Sequence, residues 1–258
     1  MESDETLRFV YNEPVLIVND NSRNIVVVGD LHIGAEAKLS DKGVHIYGTG
    51  AEMAKRIVGA AKEFSTESVI LLGDVKDTIL YPTVPERRSL AAFFSGLEGL
   101  EVTVVAGNHD AHLDEIVGVK PVKEVLLKEV ALLHGNTWPS DEAVLRRCIV
   151  TAHNHVAISM RDRNGAFYRE KAWLIAPPSK TRAKRRYDAF KTERLVVMPA
   201  YNDLIIGMSV NELSSGKDNI NPLFRNGVFR HGSAYVYTLR GDYAGKVSEL
   251  AKRSRLTP

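Results

Sequence analysis

The chain carries a single cysteine, Cys148, so no intramolecular disulfide can form. That suits a reducing compartment. Cys148 sits in the apolar run Cys148-Ile149-Val150 and reads as a small core residue rather than a nucleophile. Long hydrophobic runs are also missing. The longest candidate, residues 195–210, is interrupted by Asn202 and Asp203, and falls short of the ~18 apolar residues of a membrane span. Met1-Glu2-Ser3-Asp4-Glu5 is acidic and has no apolar core of a signal peptide. Charge is balanced, at net +2, so no global polybasic character demands or excludes nucleic acid. No internal repeat and no low-complexity linker occurs. These absences leave a soluble, cytoplasmic protein with no membrane partner as the expectation. The 258 residues, 44% apolar, suffice for one sizeable core, so a single domain over 1–258 is expected.

What the chain does have is an ordered alternation of strands and helices. Ile25-Val26-Val27-Val28, Val69-Ile70-Leu71-Leu72 and Val102-Thr103-Val104-Val105 are unbroken apolar runs, the pattern of strands buried on both faces. Between them, residues 49–64 place Met53, Ile57, Ala60, Ala61 and Phe64 at helical spacing. Residues 85–97 form a second helix with proline in its first turn. Strand, helix, strand, helix, strand marks parallel βαβ units and an α/β fold. Runs at 7–10 and 14–18 precede these, with turn chemistry at Asn19-Asp20-Asn21-Ser22. Further strands are expected at 130–133, 148–150, 168–175, 194–198 and 233–239. The short spacing in this half predicts that part of it is antiparallel.

Five motifs recur where strands should end: Gly29-Asp30-Leu31-His32, Gly73-Asp74-Val75-Lys76-Asp77, Gly107-Asn108-His109-Asp110, Leu133-His134-Gly135 and Ala152-His153-Asn154-His155. In open α/β sheets, ligands collect beyond the carboxyl ends of the strands, so these distant residues should meet at one edge. Residues two apart in an extended segment face the same way, which would aim Asp30 with His32, and His153 with His155. The glycines before Asp30, Asp74 and Asn108 would let the chain turn sharply. Asp30, His32, Asp74, Asn108, His134, His153 and His155 supply oxygen and nitrogen donors suited to two divalent metals. Manganese, iron, zinc or nickel fit such donors better than calcium or magnesium. The lack of thiolates argues against a structural cysteine-rich zinc site. A two-metal centre polarises a phosphoryl group and generates a hydroxide nucleophile.

The five motifs resemble those of the calcineurin-like metallophosphoesterase superfamily: Asp-x-His, Gly-Asp-x-x-Asp, Gly-Asn-His-Asp, a lone His and Gly-His-x-His. The resemblance implies a four-layer β-sandwich of mixed sheets flanked by helices. It implies that Asp30, His32 and His155 hold one metal, that Asn108, His134 and His153 hold the other, and that Asp74 bridges them. It gives His109 a catalytic place beside the metals, as phosphoryl clamp or general acid, with Asp110 orienting its ring. Ala152 departs from the family glycine, so the backbone there should differ. Asp77 reads as a capping or supporting residue rather than a ligand.

The segment Arg194-Leu195-Val196-Val197-Met198-Pro199-Ala200-Tyr201 with Gly207-Met208-Ser209-Val210 resembles the ligase-associated and archaeal SbcD-like subgroup. That resemblance implies a manganese-dependent phosphodiesterase acting on nucleotides or nucleic acid, with DNA-repair proteins as partners. A phosphomonoesterase of metabolites or phosphoproteins, and a non-catalytic metal-stabilised scaffold, are the alternatives.

Residues 180–194 hold seven basic against two acidic residues, and 246–255 hold four against one. Arg182, Lys184, Arg185 and Arg186 are read two ways, as a solvated face or as a phosphate-tracking patch beside the site. Residues 246–255 read as a loose end or a partner contact. His45 is expected in a loop, His112 and His231 on the surface, Trp173 in the core, and Trp138 either beside the cleft or in the core.

Overall fold

A computed structural model describes residues 5–40, 43–161, 164–213 and 219–255. A first sheet has the order β1 (Leu7–Phe9), β2 (Leu16–Asp20), β3 (Arg23–Val28), β4 (Ser68–Leu72), β5 (Glu101–Val105). The first three strands pair antiparallel, and β3, β4 and β5 pair parallel. The parallel crossovers are made by α1 (Ala37–Ser40) and α2 (Thr49–Glu63), then by α3 (Val84–Gly96). A short helix, α4 (Leu113–Val117), follows the sheet. Asn19 and Asp20 belong to β2, so the expected four-residue turn shrinks to Asn21 and Ser22, both left-handed at φ 51° and 68°. Two such residues match the twist of the strands they join.

The second sheet contains β6 (Val125–Leu126), β7 (Val130–Leu132), β8 (Cys148–Thr151), β9 (Val156–Arg161), β10 (Phe167–Ala176), β11 (Arg194–Val197), β12 (Met208–Ser209), β13 (Tyr235–Thr238) and β14 (Tyr243–Lys246). Its main path runs β12-β9-β10-β11-β8-β7-β6, with β13 joining β10 to β14. The long β10 divides its pairing: 167–171 binds β9, while 172–176 binds β11 and β13. Antiparallel pairing is concentrated there. The pair β7 and β8, despite its short connection, is parallel, as is β8 with β11. The connection after β7 manages this with a single 3-10 turn, Ala143–Leu145, buried at Ala143 and Val144. Three short helices complete the chain: α5 (Lys180–Ala183), α6 (Pro222–Arg225) and α7 (Val247–Arg255). The expected loose end at 246–255 is therefore largely helical, held by Val247 and Leu250 in the core.

Alternation along the buried strands builds four layers. Ile70, Leu72 and Val105 of the first sheet pack against Val130, Val150, Trp173 and Val196 of the second. Their neighbours Val69, Leu71 and Val104 face outward onto Met53, Ile57, Leu90 and Phe93 of α2 and α3. On the far side, Ile149, Leu174 and Leu195 face Leu223, Phe224, Val247 and Leu250 of α6 and α7. Strands covered on both faces explain why the sequence shows continuous apolar runs rather than alternation. Each such Val, Ile or Leu contributes roughly 1.5–3 kcal/mol on burial, so the sandwich is a rigid platform for loops at its edge. Among the described residues no helix is long and apolar enough to cross a membrane.

Candidate metal centre

All five motifs leave their strands at one edge of the sandwich. The donor atoms of Asp30, His32, Asp74 and His155 lie within 4.8 Å of one another, and so do those of Asp74, His134 and His153. Asp74 is common to both clusters. Ring nitrogens meet without an intervening proton donor: Nε2 of His32 lies 3.0 Å from Nε2 of His155, and Nε2 of His134 lies 3.1 Å from Nδ1 of His153. Ring nitrogens brought this close suit a cation between them. Oδ2 of Asp30 is buried without a hydrogen-bond partner, a costly state unless an ion or donor completes it. The donor set therefore fits two divalent cations. Asn108 lines the same cleft and adds an amide oxygen.

The surroundings prepare each ligand. Nδ1 of His134 donates to the carbonyl of Leu72 at 2.9 Å, which fixes the ring's orientation and turns Nε2 to Oδ2 of Asp74 at 3.2 Å. Nδ1 of His32 faces the Asp77 carboxylate at 3.4 Å, and that carboxylate also binds Lys38 at 2.7 Å. Asp77 thus steadies His32, in keeping with a supporting role. Oδ1 of Asp30 accepts the backbone N–H of His153 at 3.1 Å, and Oδ1 of Asp74 accepts that of His109 at 2.8 Å. Burial would raise the Asp74 carboxyl, but the bond to His134 and the charges around it hold it well below the usual range. Burial likewise opposes protonation of His134, yet Asp74 and Asp30 push it up to about 9. His153, desolvated and beside His134, falls to about 4. The pocket is a field of anionic oxygens ready for positive charge.

The backbone differs from the extended segments expected. Asp30 (φ 56°), His32 (42°), Asp74 (51°), His153 (67°) and His155 (43°) are all left-handed. The left-handed turn after β8 falls at His153, one residue beyond Ala152. Gly107 acts through space rather than φ: a Cβ there would stand 2.2 Å from the backbone nitrogen of Asp74.

The expected pairing of Asp110 with His109 is not what the structure contains. Nδ1 of His109 donates to the backbone carbonyl of Asp77, while the Asp110 carboxylate accepts backbone N–H groups of Val75 and Gly107, each at 2.8 Å. Asp110 ties two motif loops together. It cannot reach around its own backbone to the neighbouring ring while so engaged. Because a carbonyl only accepts, His109 carries its proton on Nδ1 and leaves Nε2 for chemistry.

The cleft measures about 410 Å³ and is lined by five of the seven candidate ligands (His32, Asp74, Asn108, His153 and His155) with His109, Asn154, Gly207, Met208 and Ile220. Arg182, Lys184, Arg185 and Arg186 are not among its lining residues, against the expectation of a phosphate-tracking patch beside it. Their segment follows β10 onto the outer face, where Ala183 and Tyr187 join the core with Phe224. There the Arg186 guanidinium stacks 4.0 Å above Trp138, which takes Trp138 away from the cleft. His231, expected on the surface, is 7% exposed and packs edge-on against Phe224. Exposed His45 and Tyr47 stack together, exposed Tyr81 stacks on His112, and Trp173 is fully buried.

Two supports went unread in the sequence. Lys76 is wholly buried, and its ammonium binds the carbonyls of Thr78, Ile79 and Leu80. Buried Glu86, at the start of α3, accepts from the backbone of Asp77 and Thr78. Together they shape the loop whose Asp77 carbonyl holds His109. The only sequence signal was a lysine inside a ligand motif.

A two-sheet α/β sandwich with two carboxylate–imidazole clusters at one edge defines a dinuclear metal site. Residues 23–193 match the family model of the calcineurin-like phosphoesterases, and the chain belongs to that family of metal-dependent phosphoric ester hydrolases. Among solved structures, the Pseudomonas putida nuclease MPE is similar at 16% identity and TM-score 0.52, over 88% of this chain and 97% of that one. The E. coli phosphoesterase YfcE is similar at 11% identity and TM-score 0.37, over 85% and 96%. No curated protein matches.

Proposed function

We propose that the protein is a manganese-dependent phosphodiesterase acting on nucleotides or nucleic acid. The observation that carries the reading is the cleft lining, which among the described residues contains no lysine or arginine. A phosphomonoester bears roughly two negative charges near neutrality, a diester one. A cleft without cationic side chains beyond its metals suits the monoanion. Met208 and Ile220, each 37% exposed on that lining, give an apolar surface for a nucleoside next to the ester. The similar structure from Pseudomonas putida is named a nuclease, and residues 194–201 and 207–210 resemble a DNA-repair-associated subgroup. Both support nucleic acid as the substrate, the second supports DNA-repair proteins as partners, and the single cysteine suits a cytoplasmic setting.

Asp30, His32, Asp74 and His155 would hold one cation, and Asp74, Asn108, His134 and His153 the other. Bound there, the pair supplies Lewis acidity to the phosphoryl oxygens and a hydroxide near neutral pH. The chain's own part is orientation and proton handling. Asn108 and the imidazoles would set where the cations, and through them the phosphoryl group, sit. His109, anchored through Nδ1, holds the proton at Nε2 that the leaving oxygen requires when the ring is cationic.

Hydrolysis of bis-p-nitrophenyl phosphate and p-nitrophenyl phosphate tests this. The protein is stripped of metal, then reloaded with manganese, iron, zinc or nickel, with His109→Ala alongside. Diester turnover that requires manganese and falls about a hundredfold in the variant is expected. Preference for the monoester would select the metabolite or phosphoprotein reading. No turnover of either ester with two metals bound would leave the scaffold reading.

A further inference from the structure

A second cavity, of about 350 Å³, lies on the outer side of the second sheet, away from the metal ligands. Arg182, Arg225, Arg230 and His231 line it, and among the described residues no carboxylate does. Its frame is built by backbone. Pro178 and Phe229 form an antiparallel bridge, Ser179 N–H donates to the Val228 carbonyl at 2.7 Å, and Arg230 N–H donates to the Pro177 carbonyl at 3.0 Å. That frame brings Arg182, from α5, and Arg230 to one opening. The Arg182 guanidinium lies over Gly227, where a Cβ would meet its Nε at 3.8 Å. None of the three arginines forms an ion pair among the described residues. Arg225 alone is tethered, to the carbonyls of Asn219 and Ile220 at 3.3 and 3.4 Å.

The second observation is His231. Its side chain is more than nine-tenths buried on the cavity lining, and its Nε2 has no hydrogen-bond partner. Three exposed guanidinium groups without an ion-pair partner converge on one hollow, where their like charges repel. An anion with several acceptor oxygens bridges these groups and offsets their repulsion. Guanidinium groups match phosphate geometry in particular.

We infer that this cavity binds a phosphate group, at a site separate from the metal centre. The segment 219–225 forms the wall between the two. Ile220 lines the metal cleft, Asn219 binds Asn154 between the ligands His153 and His155 at 2.7 Å, and Arg225 faces the cavity. A strand with its scissile ester at the metals would carry further phosphates that this site can hold. A free phosphate or nucleotide carries the same group. The strand source rests on the nuclease form of the proposed function; the phosphate site does not.

The test is Arg182→Ala/Arg230→Ala, which removes two exposed, untethered side chains and leaves Arg225 holding the wall. Two readouts use the metal-loaded protein. In the first, kcat/KM for an oligothymidylate is divided by that for bis-p-nitrophenyl phosphate. The ratio is expected to fall at least tenfold, and the salt slope of oligothymidylate binding to flatten by about 0.7, as one strand phosphate loses its partners. In the second, orthophosphate is titrated and the melting temperature followed in wild type, the double variant and a His153→Ala control that weakens the metal centre. A stabilisation that survives His153→Ala and vanishes in the double variant assigns the site to free phosphate even when the oligonucleotide ratio holds. Either result supports the site. An unchanged ratio together with an unchanged phosphate response overturns it. Failure of the phosphodiesterase reading shows separately, as absent turnover of bis-p-nitrophenyl phosphate by the wild type.

Discussion

His109 is anchored by the backbone carbonyl of Asp77, a residue 32 positions away, and not by the carboxylate of its neighbour Asp110. The two adjacent residues therefore do separate work. Asp110 joins the Val75 and Gly107 backbones, so Asp110→Asn replaces one accepting oxygen by a donor and leaves a buried N–H unmatched. A loss of about 1–3 kcal/mol in urea unfolding is expected. At temperatures where both variants stay folded, its kcat should fall far less than that of His109→Ala. Equal losses of kcat would restore Asp110 to a direct catalytic place.

Lys76 should be irreplaceable by an apolar side chain of similar length. Lys76→Met removes the buried ammonium that gathers the carbonyls of Thr78, Ile79 and Leu80. About 2–4 kcal/mol of stability should be lost. The catalytic readout is more specific: metal content by elemental analysis should persist while kcat drops, because the Asp77 carbonyl no longer fixes the His109 ring. Loss of metal in parallel with kcat would assign Lys76 to the ligands' support instead.

Gly207 packs its backbone against the ligand loop. A Cβ there would stand 1.8 Å from the carbonyl oxygen of His155, at a φ of 94° that other residues rarely adopt. Gly207→Ala should displace His155 and cut bound metal from two ions toward one per chain. Full occupancy in the variant would contradict the contact.

His231 gives a pH signature of folding. Burial pushes its pKa below the ordinary histidine value, and the arginines around it add no relief. The unfolded chain thus binds more protons below about pH 6.5, so stability falls as pH drops through that range. Between pH 7.5 and 5.5 the wild type should lose more stability than His231→Phe. Parallel urea midpoints in the two proteins would refute a buried neutral ring.

Residues whose environment is set by local pattern were legible in the sequence. The strands ending at Val28, Leu72 and Val105 announced themselves because burial on both faces demands unbroken apolar runs. The helices at 49–63 and 84–96 showed their spacing and, for the second, its proline. The motif residues were legible because each followed such a strand. What escaped depended on contacts across the fold. Nothing near Asp110 in the chain says that its oxygens bind Val75. Nothing local to Arg182 says that its partners in a cavity are Arg225 and Arg230 rather than the metal cleft. His231 looked like a surface residue because its burial comes from Phe224 and the covering α7. The parallel pairing of β7 with β8 was hidden because a compact 3-10 turn substitutes for the usual crossover helix.

Asp30, His32, Asp74, His153 and His155 occupy backbone conformations in which glycine would rest comfortably and they do not. At roughly 1 kcal/mol or more each, the cost is a substantial share of a typical domain's net stability. Selection for a sturdier fold alone would replace these five side chains with glycine; selection for the reaction forbids it. The protein's margin against unfolding and its chemistry are thus set against each other at the same five positions, and a variant that gains thermal tolerance there should be expected to have given up its activity.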